Sequence, residues 1–287
     1  MIIYVDNDET VCISSESCCG GETEAIRYKQ HFKNRVDKYK FTIDKSYDMH
    51  TEQLNLNGCH KIESFFDDYE RLGRIKQFFN DYPKKKSDFY TDTIDHPILL
   101  CKDIFELAFD DKLINLATSY FKCLPSLHGA TIRKSKATDI KSEALPHHGQ
   151  TTLYHCDQDS PRFLKYFVYL TDVGEDNGPF TYVAGTQLNK HKSWTHKLRH
   201  SDKEIEKFYG SDSIRKLTGN VGDLVVANTS GFHKGEKVVS GERLLLTFYY
   251  GIHYPYWRTA PTNPINQSDF LTLPDWKKPV ADFMVKK

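Results

Sequence analysis

The run Tyr154-His155-Cys156-Asp157 sets an imidazole and a carboxylate two positions apart at the end of a β-rich stretch. Side chains alternate faces along a strand, so His155 and Asp157 share a face, their Cα atoms about 6–7 Å apart. From that separation a ring nitrogen and a carboxylate oxygen can converge on one ion. A third donor lies in Gly231-Phe232-His233-Lys234-Gly235, a turn after the apolar run Leu224–Ala227. Two His and one carboxylate on one face form a facial triad, which holds Fe(II) and leaves three positions open for a cosubstrate and oxygen. The bare pattern also admits a surface ion pair between His155 and Asp157, with His233 as a turn residue.

Arg243 opens the apolar run 244–248. A guanidinium there needs an anionic partner, because burying it unpaired is costly. Its planar fork matches a carboxylate bidentately, and a 2-oxo-acid cosubstrate presents one. A structural Asp or Glu is the competing partner. Thr247 shares a face with Arg243 and is placed to hydrogen-bond a cosubstrate. Lys165, on the run after the His-x-Asp turn, either supports the cosubstrate carboxylate or extends outward along its alkyl stem.

Apolar residues from Ile62 to Phe79 recur at three and four, the spacing of an amphipathic helix. A second helix is expected over 103–121, with Pro125 beyond its end. A weaker one is expected over 25–39. After Leu127 the runs become short, aromatic and β-branched, separated by Gly, Asp and Asn. Strands are expected at 151–154, 163–170, Phe180–Val183, Leu224–Ala227 and 243–250, and a charged helix at 201–216. No strand–helix–strand repeat is present. The pattern predicts a mainly β fold, an antiparallel barrel or sandwich braced by N-terminal helices. Residues 1–50 read as an N-terminal extension and 51–287 as the functional domain.

The chain has 287 residues, with 39 Lys and Arg against 39 Asp and Glu. That balance offers no overall field to attract a nucleic acid, so none is expected as partner. No apolar run reaches membrane-spanning length, and the first residues carry no signal-peptide pattern. Seven Cys, irregularly spaced, do not make a disulfide framework, and a cytoplasmic location is expected. Cys12, Cys18 and Cys19 read as free thiols in a loop.

The motifs carry a family resemblance. The stretch His155-Cys156-Asp157, Phe163-Leu164-Lys165, Asn177-Gly178-Pro179-Phe180 and Val183-Ala184-Gly185-Thr186 resembles the phytanoyl-CoA dioxygenase family. So does the distal stretch Thr229-Ser230-Gly231-Phe232-His233-Lys234-Gly235, Gly241-Glu242-Arg243 and Thr247-Phe248-Tyr249-Tyr250. The resemblance runs from about Leu54 to Tyr254. It implies a double-stranded β-helix, the cupin-like jelly roll. It implies Fe(II) held by His155, Asp157 and His233, and 2-oxoglutarate with its far carboxylate on Arg243. The implied reaction uses O2, hydroxylates an unactivated C–H of a small organic substrate, and releases succinate and CO2. Asp157 stands where halogenating relatives carry Ala or Gly, so hydroxylation is the expected outcome. Gln187 stands where the family usually has His, which bears on substrate if that position orients it. Trp194 and His196 fall in an insertion of the kind that contacts substrate in such enzymes. The alternative is a cupin-like metal enzyme or binding protein that does not use 2-oxoglutarate. Arg243 argues against it, since such a protein needs no clamp for that cosubstrate.

Overall fold

The computed structural model describes residues 21–86, 90–142, 149–157, 159, 162–190, 199–252 and 265–285. The N-terminal half carries helices α1 (Gly21–Lys38) and α2 (Asp48–Asn57), strand β1 (Cys59–Ile62), α3 (Tyr69–Asp81), and strands β2 (Lys85–Lys86) and β3 (Thr91–Asp95). Helices α4 (Pro97–Leu100), α5 (Lys102–Ala108) and α6 (Asp111–Phe121) follow. Then come β4 (Ser126–Lys136), β5 (Phe163–Tyr169), β6 (Phe180–Val183), α7 (Asp202–Tyr209), β7 (Ile214–Leu217), β8 (Leu224–Ala227), β9 (His233–Gly235), β10 (Glu242–Gly251) and α8 (Gln267–Thr272).

Local chemistry sets several boundaries. The apolar run from Ile62 divides: Ile62 ends β1, and α3 starts only where the Asp68 side chain accepts from Arg71 N. The helix expected over 103–121 is two, because Asp110 caps a fresh start by accepting from Lys112 N. The charged segment 201–216 begins as α7 under a Ser201/Glu204 capping box, then turns at Gly210 into β7. Helix α2 stops at Gly58, whose φ of 80° is the left-handed conformation that suits glycine.

Strands β1-β8-β5-β10-β4-β3-β2 form a seven-stranded antiparallel sheet, and β7-β6-β9 a three-stranded one. Strand β10 shows how the large sheet divides its faces. Leu244, Leu246, Phe248 and Tyr250 point into the main core with Leu72, Ile75, Phe79, Ile104 and Leu113 of the helices. Arg243, Leu245, Thr247 and Tyr249 take the opposite face by alternation. There Phe167, Tyr169, Val225 and Ala227 pack on Phe180 and Tyr182 of the small sheet. The space between the two sheets is where polar residues of β4, β5 and β10 look inward.

The mainly β, closed double-stranded β-helix expected from the sequence is corrected by the structure. Helix makes up 39% and strand 27%, a mixed α and β fold, and the two sheets are open. The large sheet ends on β1 and β2 and the small one on β7 and β9, with no ladder joining these edges among the described residues. The helical N-terminal half supplies β1, β2 and β3, which extend the large sheet sideways. The strands of the small sheet are too short to carry pairing around to its edges. The segment 151–154, expected as a strand, is a tight helical turn at Gly149–Thr152 followed by single bridges.

The boundary drawn between residues 50 and 51 falls inside α2. Before it, buried Arg35 of α1 donates to the carbonyls of Leu124, Pro125 and Pro279 at 2.6, 2.7 and 2.9 Å, fixing that helix to the body. No helix of the described residues is long and apolar enough to cross a membrane.

Candidate metal centre

His155, Asp157 and His233 come together at the mouth of the space between the sheets, each offering one donor atom, all within 4.8 Å of one another. Backbone pairing brings the two histidines there. His155 N donates to His233 O at 2.9 Å, and His233 N to His155 O at 3.0 Å. Asp157 N donates to Thr229 O at 2.8 Å, so the turn before His233 is tied to the segment that carries the other two donors. Each imidazole is also fixed at its Nδ1. His155 Nδ1 lies 2.9 Å from Leu153 O, and His233 Nδ1 3.0 Å from Gly231 O. A carbonyl only accepts, so Nδ1 carries a proton and Nε2 is the nitrogen turned to the site, the orientation a metal requires. Asp157 meets His155 Nε2 at 3.9 Å and His233 Nε2 at 3.3 Å. The Phe180 ring stacks on His233 with centroids 5.6 Å apart.

Electrostatics favour the ligating forms. Burial pushes the His155 imidazole down to about 3, and the adjacent His233 adds to this. It is neutral at any ordinary pH. Burial alone would raise the Asp157 carboxyl, but the Lys165 ammonium and His233 outweigh it and hold the group well below the usual carboxylate range. Two imidazoles and one carboxylate are the donor set of a non-haem Fe(II) site, and the arrangement fits that ion.

Arg243 is buried on the inward face of β10. Its Nη1 donates to Gly178 O, its Nε has no partner, and no carboxylate of the described residues lies within ion-pairing distance. Burial lowers its pKa from the ordinary guanidinium value. Gly235 makes this position possible: a Cβ there would stand 3.1 Å from Nη2 and 3.3 Å from Nη1. Gly235 is two residues past His233, about 6–7 Å along the strand. The guanidinium therefore lies against the same short strand that carries the ligand His233. Thr247, buried on the same face, lies between Arg243 and Tyr249.

The other residues singled out in the sequence sort as follows. Lys165 Nζ is on Asp157 Oδ2 at 2.6 Å and Asp159 Oδ2 at 3.1 Å. It pairs in register with Tyr249, six residues along β10 from Arg243, about 20 Å. It is engaged with the metal ligand and does not reach Arg243's end of the site. Asp159 also faces Lys165, and the nearby Arg162 donates to Tyr120 O at 2.8 Å. The Asn177-Gly178-Pro179 turn is architectural: Asn177 accepts from Gly174 N and donates to Ser240 O, and Gly178 O receives Arg243. Gln187 does not face the metal. Its amide donates to Asn55 O at 3.0 Å and Leu56 O at 3.4 Å, satisfying carbonyls at the end of α2. Trp194, His196, Cys12, Cys18 and Cys19 lie outside the described residues. The Lys165–Asp157 pair was missed, although a lysine amid the apolar β5, in phase with Phe163 and Phe167, was the available signal.

The model of the phytanoyl-CoA dioxygenase family matches residues 54–243, about two-thirds of the chain, and the chain belongs to that family. The site and the family together define a non-haem Fe(II)- and 2-oxoglutarate-dependent dioxygenase. Comparison with curated proteins returns no match. Among solved structures, the chain is similar to HygX from Streptomyces hygroscopicus with nickel and 2-oxoglutarate bound. The TM-score is 0.54 at 15% identity, over 76% of this chain and 89% of that one. It is also similar to the epimerase SnoN in complex with Fe3+, alpha ketoglutarate and nogalamycin RO, with TM-score 0.55 at 13% identity, over 75% and 93%. The carbocyclase SnoK from nogalamycin biosynthesis gives 0.54 at 15%, over 73% and 84%. At these identities the likeness is one of fold.

Proposed function

We propose that this dioxygenase hydroxylates an unactivated C–H bond of a small organic molecule, consuming 2-oxoglutarate and O2 and releasing succinate and CO2. The observation that carries the reading is the pairing of the triad with Arg243, a buried guanidinium that has no acidic partner among the described residues and lies against Gly235, two residues past the ligand His233. Iron, when bound, supplies the oxidising chemistry. The chain supplies the rest. His155 and His233 present Nε2 because their Nδ1 protons are committed to the backbone. Arg243 offers its fork to the far carboxylate of 2-oxoglutarate, and Thr247 a hydroxyl on the same face. Phe167 and Phe180, with ring centroids 4.6 Å apart, form an apolar wall on the side where Phe180 stacks on His233.

HygX with hygromycin B bound and SnoN with nogalamycin RO bound are proteins of similar fold that take small organic molecules. A ligand of that general kind is the reading offered here. Cys59, Cys101 and Cys123 are free thiols, which fits a reducing compartment, and the cytoplasm is the proposed location.

The test is anaerobic addition of Fe(II) and 2-oxoglutarate, followed by oxygen. A metal-to-ligand absorption band, then succinate in amounts that depend on Asp157, is the expected result. Absence of the band would make a metal enzyme or binding protein without 2-oxoglutarate the better reading.

A further inference from the structure

We infer that Lys165 is a positioning residue that reserves Oδ2 of Asp157, so that this carboxylate presents a single oxygen to the metal. The inference rests on the triad being the iron site. Lys165 Nζ donates to Asp157 Oδ2 at 2.6 Å, a charge-assisted hydrogen bond that takes up one side of an oxygen which also stands 3.3 Å from His233 Nε2, while Oδ1 stands 3.9 Å from His155 Nε2 with no lysine on it. The ammonium is not free to swing away. Asp159 Oδ2 holds it from another side at 3.1 Å, it stands 5.1 Å from the Tyr249 ring centroid and 5.9 Å from that of Phe163, and its side chain is 13% exposed. Leu164 and Tyr166, its neighbours on β5, point into the opposite core, so alternation commits Lys165 to the metal face.

The arithmetic of coordination gives this contact a purpose. Carboxylates bind metals through one oxygen or two. An octahedral ion with three protein donors keeps three positions, two for the keto-acid end of 2-oxoglutarate and one for oxygen. A chelating Asp157 would take one of them. Lys165 prevents that by occupying Oδ2, and Asp159 offsets the positive charge that Lys165 brings close to a divalent ion.

Charge and geometry together make a test with opposite signs. Co(II) titration of the apo protein reads metal binding without turnover, and its d–d absorption reads coordination. In Lys165→Met, removal of a cation a few ångströms from the ion is expected to tighten Co(II) binding by about tenfold or more. The d–d spectrum should change as Asp157 chelates, and 2-oxoglutarate added to the Co(II) form should bind more weakly. Lys165→Arg should restore the wild-type spectrum. Asp159→Asn removes an anion and leaves Lys165 on Asp157, so Co(II) should bind more weakly with the spectrum unchanged. A role in packing alone would weaken both variants together. That result, or a Lys165→Met protein with wild-type spectrum and 2-oxoglutarate affinity, overturns the inference. If Lys165→Met does not fold, Asp159→Asn decides alone: unchanged Co(II) affinity there overturns it too. His155→Ala serves as control, because undiminished Co(II) binding in that variant rejects the metal site itself.

Discussion

His155 and His233 face each other as a hydrogen-bonded pair, N to O at 2.9 and 3.0 Å in the two directions, with ring centroids 4.3 Å apart. Two metal ligands far apart in sequence are thus held by main chain rather than by the metal. With both Nδ1 atoms donating to carbonyls two residues upstream, the donor set is built before any ion arrives. Preformed ligands lose little entropy on binding, and the metal's full affinity can go into selectivity and geometry.

Removing one imidazole should therefore abolish tight metal binding without unfolding the chain. His155→Ala and His233→Ala are each expected to weaken Fe(II) binding by at least about a hundredfold, the loss of one of only three protein donors. Calorimetric titration of apo protein under argon measures this, and unchanged affinity in both variants would rule out the triad.

Acid should destabilise the apo protein over a defined window. His155 has a folded value near 3 against 6.5 for the free group, because it is buried beside His233. The unfolded chain takes up a proton that the fold refuses, so stability is full above pH 6.5 and is lost as pH falls toward 3. Asp157, held well below its usual 3.8, adds loss in the same direction only at the acid end. The melting temperature should fall between pH 7.5 and 5, with a slope bounded by about 1.4 kcal/mol per pH unit for one group. His155→Gln should flatten that slope, and an equal slope in the variant would contradict the cause assigned.

How much of this could be read from the sequence depends on range. His155 and Asp157 were legible because their relation is local, two positions on one extended segment. His233 and Arg243 were legible from their types and the apolar runs around them. The small sheet, the division of the 103–121 helix at Asp110 and the recruitment of β1 to β3 were not. Each depends on a cap or a partner strand that no local periodicity announces. Lys165 was visible as an odd residue in an apolar strand, but its choice of Asp157 over a cosubstrate is a tertiary fact. Gln187 carried the opposite lesson: a departure that looked chemical is a helix cap.

That cap gives a simple expectation. Gln187→Ala should lose the hydrogen bonds to Asn55 O and Leu56 O and lower stability by about 1 kcal/mol, leaving metal and 2-oxoglutarate binding unchanged. Thermal unfolding and the two titrations check it. A change in cosubstrate affinity would return Gln187 to the site.

Gly231→Ala should do the reverse and damage the site through packing. A Cβ at Gly231 would collide with the Tyr182 hydroxyl and would stand 2.6 Å from Tyr182 Cζ and 2.9 Å from Gln187 N. That hydroxyl is fully buried and donates to Asn228 O at 2.7 Å, so it has nowhere to go. Gly231 also supplies the carbonyl that fixes His233 Nδ1. The variant is expected to lose roughly 1–3 kcal/mol of stability and to bind metal more weakly. Thermal unfolding and metal titration check it, and a Gly231→Ala protein with wild-type stability and metal affinity would refute the steric cause, since the Tyr182 ring carbon and Gln187 N would both crowd the new Cβ.

Arg243 is the residue on which the identity of the cosubstrate turns. Its guanidinium is buried, donates to Gly178 O, keeps an unpartnered Nε and meets no carboxylate of the described residues. A charge left in that state costs the fold something, and the cost falls when a carboxylate docks. Arg243→Lys keeps the charge but loses the fork, so a modest fall in 2-oxoglutarate affinity is expected. Arg243→Met keeps bulk and loses both. About 1.5–3 kcal/mol for a charge-assisted hydrogen bond corresponds to roughly a tenfold to 150-fold loss of affinity. Fe(II) binding should be nearly unchanged in both, since Arg243 is no ligand. Because the substitution also removes an unpaired buried cation, Arg243→Met apo protein should melt no lower than wild type, and it should lose the thermal stabilisation that 2-oxoglutarate gives the Fe(II) form. Anaerobic titration of the metal-to-ligand band measures the first effect and calorimetry the second. If Arg243→Met binds 2-oxoglutarate as tightly as wild type, the far carboxylate is held elsewhere and the clamp assigned to β10 is wrong.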